Sequence, residues 1–482
     1  MGYKKGVNRY QVNMFPPTYE ELVPQDSEVR LIDAFVNSLT HIRFQYTVTP
    51  ATGNNPYDPL DMVKIFVYGY LNKIRSSRCL ETACNSHIPL IWLINGIKPT
   101  SRTISNFRKN NNKQLKQVLK EFNLICKHAN LFNKELVAID GTKIEACTSK
   151  DNVYTKEQLK EKIKKINKDI TAYLEEVKYN DRIEEKIPRA TSEDVLNAIS
   201  NLEKDKEYFE NLFKEMEEQG EKQVSLGDPD CRIMSQRNKK TIAGYNVQIA
   251  TEVDNKMIVD FEVTNHGNDE KELSNMAIKA KEELGVDKLE VIADAGYECR
   301  EEFGKCVENN ITPYTFIKKS VNNNKGCFKK EDFIYDPKRD VYICPAQREL
   351  VKVSNHWNNV RKLNEYEYRD RDKCIDCPLK SQCTKSKTRK ICRWENEHIV
   401  DNMRGERGKE LLKKRKSTAE PPIGVLKRDF GFSYFLTRGF ENVSTEFSLM
   451  ALVYNMRRAI NLLGVPKLIQ LIKSYQLTKK IA

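Results

Sequence analysis

Two apolar runs in this chain each end on an aspartate, and that arrangement constrains its fold more than any other feature. Leu136-Val137-Ala138-Ile139 leads into Asp140, and Leu289-Glu290-Val291-Ile292-Ala293 leads into Asp294. Runs of this length read as buried strands. A carboxylate at the end of a buried strand needs a compensating charge, either a metal or a basic partner, because an isolated buried ion is too costly. A third acid, Glu420, stands in the basic segment Arg415-Lys416-Ser417-Thr418-Ala419-Glu420-Pro421-Pro422. Two strand-end aspartates and one helix glutamate can hold two divalent cations about 3.5–4 Å apart, the clamp used for in-line phosphoryl transfer. Hard oxygen ligands suit Mg2+ or Mn2+. For any one acid alone, a helix cap or a surface ion pair explains as much; the three together point to strand chemistry on nucleic acid.

Along the chain, residues 1–130 read as a helical domain. Apolar positions at 62, 63, 66, 67, 70, 71 and 74 keep helical spacing. Asn95-Gly96 closes two short helices, and Thr100 or Ser101 then caps a further one. That helix offers Arg102, Ser105, Asn106, Arg108 and Lys109 as polar groups over Ile104 and Phe107, which suits a recognition helix of a helix-turn-helix-like module in a DNA groove. An ordinary amphipathic helix with a basic face is the alternative.

Residues 150–222 change character. They are highly charged, with apolar residues such as Leu159, Ile163, Ile166 and Ile170 before a break at Pro188, and Val195, Ile199 and Leu202 after it. Steps of three and four residues predict two helices in an antiparallel coiled-coil hairpin, interrupting a sheet after its first strand. Strands resume over 242–252 and 257–263 with a hairpin turn between, and helix and strand then alternate to about residue 317. The fold class expected is mixed α+β.

Residues 325–400 form a basic, cysteine-bearing insert. From Arg361 to Lys416 there are 18 Lys and Arg against 10 Asp and Glu, within a chain of net charge +13. Such a block suits phosphate backbones. Cys374 and Cys377 make a C-x2-C knuckle, Cys383 follows, and Cys344-Pro345 lies upstream. Four thiolates can enclose a structural Zn2+, in the manner of a zinc ribbon, with Cys392 or His398 as substitute ligands. A metal-free, reduced knuckle is the alternative. Thirteen cysteines without a signal core predict reduced thiols, and no apolar run approaches a membrane span. The expected location is the cytosol.

The stretches Val137-Ala138-Ile139-Asp140-Gly141-Thr142, Ala243-Gly244-Tyr245-Asn246-Val247-Gln248, Ala293-Asp294-Ala295-Gly296-Tyr297 and Glu420-Pro421-Pro422-Ile423-Gly424-Val425-Leu426-Lys427 resemble the DDE transposases of bacterial insertion sequences. So does Thr445-Glu446-Phe447-Ser448-Leu449-Met450, which matches the family's closing helix. The branch resembled is the one numbered eleven-eighty-two, and the likeness spans residues 10–465. It implies an RNase H-like catalytic domain over 131–465, interrupted by the two inserts, behind the DNA-binding domain and ahead of a C-terminal tail at 466–482. It also implies Asp140, Asp294 and Glu420 as catalytic metal ligands, and Arg415 and Lys427 as contacts to DNA phosphate. Asp228-Pro229-Asp230 and Asn268-Asp269 match stretches near the family's active site; turn or cap roles are the alternative. Ile423 departs from the family's Phe but stays apolar. The implied function is binding of element ends, as double-stranded DNA carrying terminal inverted repeats, followed by metal-dependent cleavage and transfer to target DNA by a homodimer assembled on it. Rival readings are an RNase H-like nuclease that does not join strands and a DNA-binding regulator that has kept the fold.

Overall fold

The computed structural model describes residues 17–45, 55–180, 192–236, 240–317, 327–359, 363–370 and 374–481. The chain begins with helices α1 (Tyr19–Leu22), α2 (Glu28–Val36), α3 (Pro59–Leu71), α4 (Ser77–Ser86), α5 (Ile88–Leu93), α6 (Ser101–Asn110) and α7 (Asn112–His128). Asp58 starts α3 by accepting from the Leu60 N–H at 2.8 Å, with Pro59 in the first turn. Every residue from Met62 to Leu71 is buried, so α3 is the axis around which its neighbours pack. Lys64 survives burial there because Asp33 (3.0 Å) and Asp61 (3.2 Å) neutralise it.

After α7 comes β1 (Leu136–Glu145), then β2 (Val153–Thr155), the long helices α8 (Lys156–Asn180) and α9 (Ser192–Glu218), and β3 (Gln223–Ser225). β2 and β3 pair antiparallel, pinning the roots of the two helices together. Leu159 and Ile166 of α8 pack with Phe209 and Met216 of α9, a small core of their own. Lys160, early in α8, sits over the ring of Phe213, late in α9, so the helices run antiparallel. The break expected at Pro188 lies outside the described residues.

The sheet continues with β4 (Arg232–Ser235), β5 (Thr241–Glu252), β6 (Ile258–Thr264), α10 (Leu273–Leu284), β7 (Leu289–Ala293), α11 (Arg300–Glu308) and β8 (Ile311–Thr315). Gly285 ends α10 at φ +68°, a left-handed position that favours glycine and lets the chain turn into β7. The order across the sheet is β4-β5-β1-β7-β8, with β6 also on β5. β5 runs antiparallel to β1 and to β6, whereas β1, β7 and β8 are parallel. β1 and β5 are buried almost end to end, as central strands covered on both faces must be.

Beyond β8 a second, all-antiparallel sheet forms from β9 (Ile334–Asp336), β10 (Val341–Ile343), β11 (Glu349–Asn358), β12 (Leu363–Arg369) and β13 (Lys390–Trp394), with the short helix α12 (Lys380–Cys383) between the last two. Its fully buried residues are Phe333, Tyr342, Leu350, Tyr368 and Ile391. The chain then returns through α13 (Glu397–Arg404), α14 (Glu406–Gly424), α15 (Phe440–Leu463) and α16 (Val465–Ile481). The C-terminal segment 466–482, expected as a tail, is thus largely helix. Val465, Leu468 and Ile472 are buried, on an apolar stripe that packs on α2 and α7. No helix among the described residues is long and apolar enough to cross a membrane.

Candidate active site

β1 and β7 pair in parallel with Ala138 opposite Ile292. Asp140 lies two residues beyond Ala138 on β1 and Asp294 directly after the last residue of β7, so continuing this register brings the two acids side by side at the strand ends. Asp140 is buried, with its Oδ1 accepting from the Gly141 N–H at 3.0 Å. Asp294 leaves its strand by capping a short turn, Ala295–Tyr297, accepting from the Gly296 N–H at 2.6 Å. Both aspartates are therefore fixed by the backbone just beyond them.

A fourth acid joins them. Asp269 Oδ1 accepts from Asn246 Nδ2 and Gln248 Nε2, each at 2.7 Å, and both donors project from β5. A Cβ on Gly141 would fall 2.5 Å from Asp269 Oδ1, and one on Gly296 would fall 2.8 Å from Asp294 Oδ1. The backbone beside each strand end is bare because carboxylates lie against it. Tyr297 donates its hydroxyl to Gln248 Oε1 and is fully buried. Burial first, and then the charges of Asp269, Asp140 and Asp294, push that phenol well above its usual range, so it stays a donor.

α14 crosses β1, β5 and β7 and brings in Glu420. Pro421 and Pro422 lie inside this helix and have no N–H to give the carbonyls one turn back. The helix widens directly afterwards into a π turn, Val425–Asp429. That widening carries Lys427 into the same cleft as Asp140, Asp269, Asp294 and Glu420. Lys427 Nζ donates to the Lys143 carbonyl at 2.8 Å, and burial lowers its pKa. Arg415, expected to meet phosphate, is instead buried: its guanidinium reaches Asp140 Oδ2 at 3.3 Å and Glu420 Oε1 at 3.7 Å. It lies five residues, about 1.4 helical turns, before Glu420 on α14. Among the described residues, no group of three or more His, Cys, Asp or Glu side chains is already arranged to hold a metal ion.

On α6, Thr100 caps the helix through the Thr103 N–H. Arg102, Ser105, Asn106 and Lys109 are exposed, over buried Ile104 and Phe107. Arg108 does not share their face. It lies 5.9 Å from the Phe66 ring centre, with one guanidinium nitrogen buried beside Tyr70. Arg108, expected among the DNA contacts, thus packs on the core side of the helix, apart from the exposed set. The Asp228-Pro229-Asp230 stretch also turns out structural: Gly439 N–H donates to Asp228 (2.9 Å) and Phe440 N–H to Asp230 (2.8 Å), together capping α15. Cys344, Cys374, Cys377 and Cys383 line one cavity at the edge of the second sheet.

With this geometry in place, comparison with known proteins is informative. Residues 343–460, which include Arg415, Glu420 and Lys427, match a family described as "Transposase DDE domain". Residues 17–110, which include α6, match one described as "Transposase domain (DUF772)". The matches support a DDE transposase family. Asp140 and Asp294 fall outside both matched spans. No curated protein matches the chain. One solved structure that aligns is "Cryo-EM structure of piggyBac transposase synaptic complex with hairpin DNA", at 9% identity and a TM-score of 0.28, covering 95% of this chain and 80% of that one.

Proposed function

We propose that the chain is an insertion-sequence transposase, of the branch numbered eleven-eighty-two, that cuts and joins DNA by direct phosphoryl transfer. The observation that carries this reading is the register that brings Asp140 and Asp294 side by side on adjacent parallel strands beneath the helix bearing Glu420. The strand order supports an RNase H-like core: a three-stranded antiparallel unit, β1-β5-β6, continued by two parallel strands beyond β1.

The donor set fits a hard divalent cation. Asp140, Asp294 and Glu420 would hold Mg2+ or Mn2+, with Asp269 beside them, and every donor is a carboxylate oxygen open to one cleft. When bound, such ions supply an activated water or 3′-hydroxyl and stabilise the departing oxygen. The chain's own residues do the rest. Gln248 and Asn246 orient Asp269, and Tyr297 orients Gln248. Lys427, held by the Lys143 carbonyl, presents a positive charge where a phosphate would approach. The exposed side chains of α6, led by Arg102 and Lys109, are the proposed contacts to element ends, with the active complex a homodimer on DNA.

Asp140→Asn, Asp294→Asn and Glu420→Gln keep side-chain volume while removing a charged ligand. Each should nearly abolish cleavage and strand transfer of labelled element ends in Mg2+ or Mn2+, and Ca2+ should not support either step. End binding should persist in all three variants. Cleavage without joining by the wild type would make the protein a nuclease, and full activity in Glu420→Gln would send the third ligand elsewhere, Asp269 first.

A further inference from the structure

The second sheet is small for an independent unit, with five fully buried residues in its core. Sheets that bury so little apolar surface usually need a staple. At its edge, four cysteines from two distant stretches meet: Cys344 from the turn after β10, and Cys374, Cys377 and Cys383 from the segment between β12 and β13. We propose that these four thiols bind one Zn2+ as thiolates, and that this ion is the structural staple of the second sheet.

Both stretches have the local shape of metal-binding knuckles. Each places proline directly after a cysteine, at Pro345 and Pro378. After Cys344 the chain turns tightly: the Gln347 N–H bonds the Cys344 carbonyl at 2.8 Å, and Gln347 takes a φ of 57°. That turn points the Arg348 N–H at Cys344 Sγ, 3.4 Å away. Backbone N–H groups aimed at sulfur in this way are the hydrogen bonds that metal-bound thiolates accept. After Cys377 the Lys380 N–H closes a similar turn on the Cys377 carbonyl at 3.0 Å.

Charge agrees with geometry. Zn2+ with four thiolates carries a net charge of about −2, and three cations, Arg348, Lys380 and Arg389, line the cavity against one acid, Asp370. Arg389 is itself anchored to the Cys383 carbonyl (3.2 Å) and the Phe328 carbonyl (3.0 Å), tying both sides of the site together. The substitute ligands are excluded by position. Cys392 faces Glu365 and is pushed up to about 11 by burial, and His398 is exposed; neither lines the cavity. Since the thiols are not yet arranged as a metal cage, binding must draw them inward, with their protons leaving to solvent.

The test uses the full chain, purified under reducing conditions, and needs no transposition assay, so its outcome is independent of the active-site reading. Metal analysis should find one zinc per chain. Replacing it with Co2+ should give the visible and near-ultraviolet bands of tetrahedral cobalt thiolate. Cys374→Ser and Cys377→Ser should each lose the metal and speed proteolysis between residues 327 and 395, whereas Cys392→Ser should keep it. A wild-type chain that is metal-free and gives no thiolate bands on Co2+ titration overturns the site. Loss of metal in Cys392→Ser equal to that in Cys374→Ser overturns the ligand set.

Discussion

At the scale of single residues, the chemistry rests on which carboxylates share a cleft and what holds each one still. Asp269 is held by Asn246 and Gln248 and lies against the Gly141 backbone, yet it ends no apolar run. Asp269→Asn should leave DNA binding intact and raise the Mn2+ concentration needed for cleavage, with about a 10–100-fold loss of rate at limiting metal. Cleavage measured across a Mn2+ series tests this; an unchanged midpoint and rate would remove Asp269 from the site. The sequence made Asp140 and Asp294 conspicuous because buried acids at strand ends are rare and costly. It could not reveal that they stand side by side, since register is a property of the pairing between strands rather than of either one. Arg415 entered as a phosphate contact through the family likeness alone, and it is the packing of α14 on β1 that sets its guanidinium against Asp140.

At the scale of elements, α6 shows what periodicity can and cannot decide. Residues 102, 105, 106 and 109 recur at steps of three and four and so share a face; 108 lies four beyond Ile104, on the buried side. The inward turn of Arg108 was therefore legible in the spacing, although charge suggested otherwise. Arg102→Ala with Lys109→Ala should weaken binding to element ends and flatten the salt dependence by about one unit per charge removed. Arg108→Ala should lower thermal stability and leave the salt slope alone. Binding curves at several salt concentrations, beside melting curves, separate the two; an unaltered slope in the double variant would put the DNA contacts off α6. The helical hairpin could be read because its apolar spacing stands out against a charged background. The spacing of Val465, Leu468 and Ile472 likewise carries the buried stripe of α16, beyond residue 465 where the family likeness ends.

At the scale of the whole molecule, one continuous hydrophobic cluster runs from Val23 to Ile472, so the N-terminal helices and the central sheet share a core rather than meeting as separate bodies. The contacts that join them are between residues hundreds of positions apart and leave no local signal in the sequence. The most consequential is Arg75, between α3 and α4. Its guanidinium lies over the rings of Phe432 and Tyr434, donates to the Tyr434 carbonyl at 2.8 Å, and reaches Glu446 at 3.3 Å. Glu446 is wholly buried and also accepts from the N–H groups of Leu436 and Thr437. The loop so gripped continues along the end of β1, where the Phe435 N–H bonds the Glu145 carbonyl at 2.8 Å, five residues beyond Asp140. Arg108 supplies the larger opposing charge on Glu446, so Arg75→Ala should weaken its neutralisation without stranding it and cost about 1.5–3 kcal/mol. Burial already lifts the Glu446 carboxyl above the ordinary glutamate range, and loss of Arg75 lifts it further. A carboxyl whose folded pKa exceeds its unfolded one binds more protons when folded, so the variant's stability should fall as pH rises through that interval and recover as pH drops towards 4.5. Adding Glu446→Gln removes the buried charge, and the double variant should melt above Arg75→Ala at neutral pH with the pH dependence gone. Melting curves of the three proteins across that range decide the matter: a double variant no more stable than Arg75→Ala would mean that the ring contacts of Arg75, and not its charge, join the helical layer to the active-site strand.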